Sequence, residues 1–341
     1  MQIEFAPLHI PMERRIQMTA IIAYAFLVGF GGFSVIALSI YFLLYTTYCR
    51  WIYLAYLLWI YFYDIDSCET GGRQVMWVKK WKWWWHMANY FPIKLYKVPF
   101  GDLDPKRNYL FCCFPHGMIS TGAFTVFLTE ARNISKSFPN HKVHMNTLRT
   151  NFFVPILREL TLSIGGISSS KRSLNYILSK PDGGNITALV IGGAQEAFYN
   201  KPGHYILVLK NRKGFVKVAL QNGSPLVPVM SFGEPDIISQ VEFKDGSLFQ
   251  RFQLFIKKCF GFVPLVPLGR GIFQYNYGIL PQRVPINVVV GRPIDVEKVE
   301  QPTQEQIDDL HERFIKELDT LFEKQKKKFI ENADNVHLEI I

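Results

Sequence analysis

The chain has 341 residues, of which 49% are hydrophobic and 15% aromatic, and its formal net charge is +10 at pH 7. This apolar content is more than one core of this size needs, and the surplus lies near the N-terminus, which indicates a membrane protein. The positive charge indicates an anionic partner, such as a lipid surface or the phosphates of coenzyme A, whereas the absence of zinc-finger, basic-heptad and RNA-binding signatures argues against nucleic acid.

The N-terminal region predicts a membrane hairpin. Residues 1–15 form a short cytosolic segment, and no charged residue occurs from Ile16 to Tyr48. A second uncharged run follows Arg50. A bilayer span takes about 20 apolar residues, so residues 16–63 suffice for a hairpin that either crosses twice or dips into one leaflet. Flanking cations place both ends on the cytoplasmic side, and a single buried helix of a soluble protein is the alternative.

Residues 64–341 alternate apolar segments with Gly, Pro and Asp residues, which is typical of an α/β domain. The predicted elements are a strand at 109–113 continued by Phe114, a helix at 119–128, a strand at 185–191, a helix at 215–220, strands at 226–232 and 288–291, and a closing helix that begins at a Thr303/Gln306 capping box.

A Pro-His-Gly turn follows the first of these strands. Pro115 cannot donate to a strand ladder and Gly117 tolerates unusual dihedral angles, so the strand should end there. His116 would then lie beside unpaired N–H groups at the start of the next helix. A neutral imidazole with an ordinary pKa of about 6.5 can take a hydroxyl proton as a general base. The alternative is that His116 only hydrogen-bonds within a buried turn.

A second turn, at the end of the strand at 185–191, repeats this pattern. Two glycines at 192 and 193 allow the backbone to approach a ligand closely, and Glu196 follows them. Glu196 is predicted to orient His116 or to bind an acceptor hydroxyl, and the alternative is a pair with a structural arginine. In the cationic segment 210–214, Arg212 and Lys213 are candidates for coenzyme A phosphates, and a solvated turn is the alternative.

Other types of site are not expected. The five cysteines form no C-x-x-C pair and no regular framework, so they are predicted to be reduced thiols in a chain that faces the cytosol. His141 and His144 have no further ligands clustered with them, which argues against a metal site. The sequence also lacks a nucleophile elbow, a dinucleotide-binding loop and a P-loop.

Nearly the whole chain resembles the type-2 diacylglycerol acyltransferase family, which includes the monoacylglycerol and wax-alcohol acyltransferases. The motifs that carry this resemblance are Glu4-Phe-Ala-Pro-Leu8, Pro11-Met-Glu-Arg-Arg15, Tyr90-Phe-Pro92, Phe114-Pro-His-Gly117, Gly192-Gly-Ala-Gln-Glu196, Arg212-Lys-Gly-Phe215, Ser231-Phe-Gly-Glu234, Gly269-Arg-Gly-Ile-Phe273 and Gly291-Arg-Pro-Ile294. The family motif is usually His-Pro-His-Gly, and Phe114 replaces its first histidine here. His116 matches the histidine assigned to catalysis, so the base is kept and a two-histidine site is in doubt.

The resemblance implies a membrane hairpin followed by an acyltransferase-type α/β domain in the endoplasmic reticulum membrane, with the catalytic domain in the cytosol and lipid droplets as a second location. The implied reaction is direct transfer of an acyl group from acyl-CoA to a lipid hydroxyl, with acyl-CoA as co-substrate and no cofactor. His116 would take the hydroxyl proton, and backbone donors in the turn of Pro115, Gly117 and Met118 would steady the oxyanion. Because no serine or cysteine is paired with a base in a known motif, no covalent acyl-enzyme is expected.

The resemblance also adds Arg270 to the candidates for acyl-CoA binding. Diacylglycerol is the expected acceptor, and monoacylglycerol or a fatty alcohol is the alternative. Two other classes remain: an inactive lipid-binding relative, suggested by Phe114, and a membrane-bound acyl-CoA hydrolase. Acyl-chain preference, the depth of the hairpin and oligomeric state, a homo-oligomer included, are not decided by the sequence.

Overall fold

A computed structural model describes residues 4–7, 9–241, 246–260 and 266–341 of the chain. The described strands are β1 (Lys94–Lys97), β2 (Asn108–Phe114), β3 (Lys142–Thr147), β4 (Gly166–Ser168), β5 (Asn185–Val190), β6 (Tyr205–Leu207), β7 (Leu226–Phe232), β8 (Ser239–Gln240), β9 (Pro267–Leu268), β10 (Asn287–Val290) and β11 (Leu338–Ile340).

The described α-helices are α1 (Met12–Tyr45), α2 (Tyr48–Leu58), α3 (Met76–Lys79), α4 (Lys82–Tyr90), α5 (Thr121–Ala123), α6 (Ile134–Ser137), α7 (Leu157–Ser163), α8 (Lys171–Leu178), α9 (Gly193–Glu196), α10 (Gly214–Asn222), α11 (Leu248–Phe260) and α12 (Gln304–Phe329). Two π-helical turns, Trp59–Tyr63 and Phe124–Leu128, continue α2 and α5. Short 3-10 turns lie at Ile65–Glu69, Arg149–Phe152, Ala197–Tyr199, Glu234–Asp236 and Ala333–Asn335.

Seven strands form one sheet in the order β1-β10-β7-β2-β5-β3-β4. The strands β7, β2, β5, β3 and β4 are parallel to one another, whereas β10 is antiparallel to β7 and parallel to β1. The central strand β2 has all seven residues buried, as expected for a parallel strand that is covered on both faces. The predicted α/β class, the strand at 109–113 and its continuation through Phe114 are confirmed.

Helices cover both faces of the sheet, and the side chains of β2 alternate between two hydrophobic clusters. Phe111 and Cys113 belong to the cluster with α1 and α4, whereas Leu110, Cys112 and Phe114 belong to the cluster with α8, α10 and α12. The predicted capping box at the start of α12 is present, and the apolar stripe of this helix is buried.

The predicted hairpin is formed by α1 and α2, and its two arms differ in length. At 1.5 Å per residue, α1 is about 50 Å long, whereas α2 with its π-helical turn is about 24 Å long. Ser39 of α1 and Tyr53 of α2 are joined by a 2.5 Å hydrogen bond, so the two arms pack together. Among the described helices, α1 alone is long and apolar enough to cross a membrane.

The first half of α1 belongs to the core of the α/β domain. Ile21 and Tyr24 are buried, and the ring of Tyr24 lies 5.5 Å from the ring of Phe124, between ring centroids. Most of the second half of α1, which includes Phe33, is exposed, although Gly31 and Val35 are buried. The helix therefore begins four residues before the predicted boundary at Ile16, and only its second half extends away from the domain.

The hairpin meets the sheet at its carboxyl edge, where the segment that follows β3 exposes apolar side chains. The Tyr61 hydroxyl donates to the Phe153 carbonyl at 2.7 Å, and the Tyr56 hydroxyl accepts from the Ile156 N–H at 3.0 Å. Phe153 and Ile156 are themselves exposed. The loops at the carboxyl ends of the parallel strands therefore lie on the side of the domain that carries the hairpin.

An ionic cluster fastens the end of the hairpin to α7. The guanidinium of Arg158 is 1% exposed and pairs with Asp64 at 2.7 Å and with Glu159 at 2.6 Å. Arg73 pairs with the same two carboxylates. Because each buried charge has a partner, the cluster holds the chain after the hairpin against the domain.

Candidate active site

Three turns meet at the carboxyl edge of the sheet. They follow β5, β2 and β7, which are adjacent and parallel, and they contain Glu196, His116 and Glu234. In open α/β sheets this edge is where ligands bind. The sequence predicted the first two residues, and Glu234 is an addition from the structure.

The imidazole of His116 is half-buried, and its Nδ1 lies 3.0 Å from the carbonyl oxygen of Gly117. A carbonyl only accepts, so this contact assigns the proton to Nδ1 and leaves the lone pair on Nε2. Burial lowers the pKa of His116, although the hydrogen bond to Gly117 acts in the opposite direction. The ring is therefore neutral at physiological pH and carries an acceptor nitrogen, which is what a general base requires.

The backbone of His116 is fixed on both sides of its Cα. Its N–H donates to Oε2 of Glu196 at 2.6 Å. Its carbonyl accepts from the N–H of Ser120 at 2.9 Å and from the Ser120 hydroxyl at 3.0 Å. The alternative that His116 only hydrogen-bonds within a turn accounts for these backbone contacts but leaves Nε2 without a described partner.

Glu196 hydrogen-bonds to the backbone of the His116 turn and not to the imidazole ring. Its carboxylate is 2% exposed, and its second oxygen accepts from the N–H of Val208 at 2.8 Å. Burial raises the pKa of Glu196 to about 7. A Cβ on Gly192 would lie 2.1 Å from the carboxyl carbon of Glu196, so this glycine leaves room for the glutamate and not for a ligand as the sequence suggested. Glu196 therefore contacts His116 through the main chain and not through the ring.

Glu234 binds the other end of the same turn. It is 0% exposed, and its two oxygens accept from the N–H groups of Thr121 at 2.6 Å and Gly122 at 2.7 Å. Burial raises its pKa to about 7. The sequence contains a signal for it, because Gly233 and Glu234 follow a buried strand as the Gly192–Glu196 segment does.

The predicted oxyanion donors lie in the tight part of the turn. Pro115 is buried and ends the strand, and Gly117 has a left-handed backbone with φ at 58°. Within the described part of the chain, the N–H groups of Gly117 and Met118 donate to no backbone or side-chain acceptor. They therefore remain the candidate donors to an oxyanion.

The three candidate cations lie in different surroundings. Arg212 is exposed and donates to the Gln195 side chain at 3.2 Å, next to Glu196. Lys213 pairs with Asp308 at the start of α12 at 2.7 Å. Arg270 is 8% exposed and lies over the ring of Tyr275 at 4.3 Å. Of the three, only Arg212 has a described contact with the turns at the sheet edge.

The two cysteines that precede the turn are unsuited to nucleophilic catalysis. Cys112 and Cys113 are fully buried in β2, and burial raises the pKa of both thiols. Because the thiolate is the reactive form, neither thiol is activated. Among the described residues, no group of three or more His, Cys, Asp or Glu side chains could hold a metal ion.

If the chain has the acyl-transfer activity that the resemblance implies, we expect the variant Cys113→Ala to keep its rate within about 3-fold of the wild type, because a buried free cysteine acts as a small apolar side chain. The measurement is the rate of product formation per folded protein in membranes. Radioactive acyl-CoA should leave no acid-stable label on the wild-type chain. A labelled intermediate that the variant lacks would contradict direct transfer.

The chain is similar to known proteins over most of its length. The family model of diacylglycerol acyltransferase matches residues 42–340. Over 329 residues the chain is 43% identical to the 2-acylglycerol O-acyltransferase 1 of Bos taurus, with 96% of this chain and 97% of that protein covered. Over 328 residues it is 42% identical to the diacylglycerol O-acyltransferase 2 of Dictyostelium discoideum, with 95% and 96% covered. The solved structure of the 1-acyl-sn-glycerophosphate acyltransferase PlsC from Thermotoga maritima aligns with 90% of this chain and 97% of that chain, at 12% identity and a TM-score of 0.37.

Proposed function

This chain belongs to the diacylglycerol acyltransferase family, and from that premise we propose that it makes triacylglycerol from diacylglycerol and fatty acyl-CoA. The observation that carries the mechanism is the neutral imidazole of His116, whose Nε2 has no described partner at the sheet edge that the hairpin meets. This position lets a base reach a substrate that enters from the membrane.

The proposed reaction is one direct transfer. Nε2 of His116 takes the proton of the acceptor hydroxyl as the hydroxyl oxygen attacks the thioester carbonyl. The N–H groups of Gly117 and Met118 stabilise the oxyanion of the tetrahedral intermediate. When the intermediate collapses, the carbon–sulfur bond breaks and the CoA thiolate takes the proton from the imidazolium. The products are the new ester and free CoA.

A site at the membrane surface can receive both substrates, although they dissolve in different phases. The acceptor dissolves in the bilayer, whereas the CoA head group remains in water. Arg212 is exposed beside the Glu196 turn, where a guanidinium can bind a CoA phosphate. We place the hairpin in the endoplasmic reticulum membrane, with the catalytic domain in the cytosol and lipid droplets as a second location.

A monoacylglycerol acceptor is the second candidate function. It is favoured by the similarity to a relative whose name gives 2-acylglycerol as its acceptor. The His116 turn would serve either acceptor, because the chemistry at the attacking hydroxyl is the same. The two candidates therefore differ in the substrate and not in the mechanism.

The acceptor is tested with labelled acyl-CoA and membranes that carry the protein, with diacylglycerol, monoacylglycerol and fatty alcohol supplied separately. We expect triacylglycerol from diacylglycerol to form fastest, and its rate to collapse in the variant His116→Ala. Faster use of monoacylglycerol or alcohol would overturn the acceptor. Release of free fatty acid without any acceptor would indicate a hydrolase, and no turnover at all would indicate a lipid-binding relative.

A further inference from the structure

The turn that carries His116 has an unfavourable backbone. Ser120 lies in the left-handed region with φ at 50°, and so does Gly117 at 58°. Glycine adopts this region freely, whereas a residue with a Cβ is destabilised there by steric contact with its own backbone. A turn of this shape requires contacts from elsewhere in the chain to hold it.

Glu234 supplies such contacts from the turn that follows the neighbouring strand β7. Its two carboxylate oxygens accept from the consecutive N–H groups of Thr121 and Gly122, at 2.6 and 2.7 Å. Hydrogen bonds to an ionised carboxylate are shorter and stronger than neutral ones. The pair therefore fixes the end of the turn that lies opposite the contact of Glu196.

The turn is shaped around this side chain. A Cβ on Gly117 would lie 2.8 Å from Cγ of Glu234, and one on Gly122 would lie 2.9 Å from its Oε2. The glutamate thus occupies the space that two glycines leave open on either side of the left-handed Ser120. A different side chain at position 234 would leave this space unfilled or would disturb the turn.

The glutamate is itself held in place. The N–H of Gly233 donates to the hydroxyl of Tyr205 at 2.9 Å. Tyr205 begins β6, and Val208, which follows that strand, binds the Glu196 carboxylate. The short segment from Tyr205 to Val208 therefore contacts both of the loops whose glutamates hydrogen-bond to the His116 turn.

We propose that Glu234 is a positioning residue for acyl transfer, which sets the place of His116 Nε2 by holding the backbone at residues 121–122. This rests on the proposed function, in which His116 is the base. The described hydrogen bonds of the Glu234 carboxylate go to backbone N–H groups and not to the imidazole. Its effect should appear in the chemical step and not in substrate binding.

The first test replaces Glu234 by glutamine, which turns one acceptor oxygen into an N–H donor that faces a backbone N–H. We expect kcat to fall by at least about 10-fold, because an interaction with a charged group is lost. We expect KM for acyl-CoA to stay within about 3-fold, since the cations that face the solvent are unchanged. Both are measured per folded protein.

The variant Asp236→Asn is the matched control. Asp236 lies in the same loop and accepts from the N–H of Gly203 at 2.6 Å, which is not part of the His116 turn. The change from carboxylate to amide is the same as in the glutamine variant. We expect Asp236→Asn to keep the wild-type kcat, and an equal loss in both variants would overturn the proposal.

A second route perturbs the same contact and leaves the glutamate intact. In Gly122→Ala, the new methyl would lie 2.9 Å from Oε2 of Glu234 and 2.8 Å from Cγ2 of Ile286. We expect a similar loss of kcat, and a double variant that loses less than the product of the two single effects. A folded Glu234→Gln enzyme with the wild-type kcat would overturn the proposal, as would a loss confined to KM. These outcomes differ from a failure of the proposed function. In that case the wild type itself would show no acyl transfer that depends on His116.

Discussion

Replacing His116 by glutamine is expected to lower kcat for acyl transfer by about 10²- to 10⁴-fold, the range that general-base catalysis contributes. The amide has a volume similar to that of imidazole, but it cannot take up a proton at neutral pH. The contacts of His116 with Glu196 and Ser120 are made by its backbone and are expected to survive the change. The loss therefore reports on the chemistry and not on the fold.

The control for this experiment is His337→Gln. The side chain of His337 is 72% exposed and lies near the C-terminal end of α12. We expect this variant to match the wild type in rate and in abundance. A His116→Gln protein that is folded, binds acyl-CoA and keeps a tenth of the wild-type rate would show that another group is the base.

The His116 turn could be predicted because its signals are local. An apolar run, a proline that cannot donate and a glycine are adjacent in the sequence, and they determine where β2 ends. The structure confirms the strand at Asn108–Phe114 and the helical segment that begins at Thr121. Each of these features depends on residues within a few positions of His116.

The glutamates were harder to interpret because their partners are distant in sequence. Glu196 meets the His116 N–H across 80 residues, and Glu234 meets Gly122 across 112. These contacts exist because β5 and β7 flank β2, which is a property of the strand order. A single sequence identified Glu196 as a candidate but not the backbone groups that it binds, and it named Glu234 only as the last residue of a family motif, without a role.

The hairpin shows a different limit of sequence patterns. Apolar residues predict burial, but they do not distinguish lipid from a protein core. The uncharged run from Ile16 to Tyr48 therefore predicts the helix. It does not predict that the first half of this helix packs in the domain core while most of the second half is exposed. Arg270 shows the same limit for charge, because its motif gives no sign that Tyr275 covers the guanidinium.

Glu196→Gln is expected to lower kcat by about 10- to 100-fold, because the hydrogen bond to an ionised group that holds the His116 backbone is lost. The wild type should lose activity in a related way on acidification. The pKa values of Glu196 and Glu234 are both about 7, raised mainly by burial, whereas that of His116 is lowered. Between pH 8 and 6, both glutamates are therefore expected to take up protons.

A protonated carboxyl offers one good acceptor oxygen. Each glutamate therefore loses one of its two hydrogen bonds to backbone N–H groups when it is protonated. Because both glutamates take up protons in this interval, log kcat should fall more steeply below pH 7 in the wild type than in Glu196→Gln, where one of the two groups is absent. The measurement is kcat against pH for both proteins, at saturating acyl-CoA. Equal slopes in the two proteins would contradict the role of Glu196.

Stability should change in the opposite direction, which separates this effect from acid unfolding. A carboxyl whose pKa is raised in the folded state binds protons there more readily than in the unfolded chain, so between pH 7 and about 4.5 its contribution to the free energy of unfolding increases as the pH falls. The two glutamates should therefore favour the folded enzyme at pH 6 over pH 8 while its activity declines. If Tm fell together with kcat over this interval, unfolding would explain the loss, and the glutamates would not be its cause.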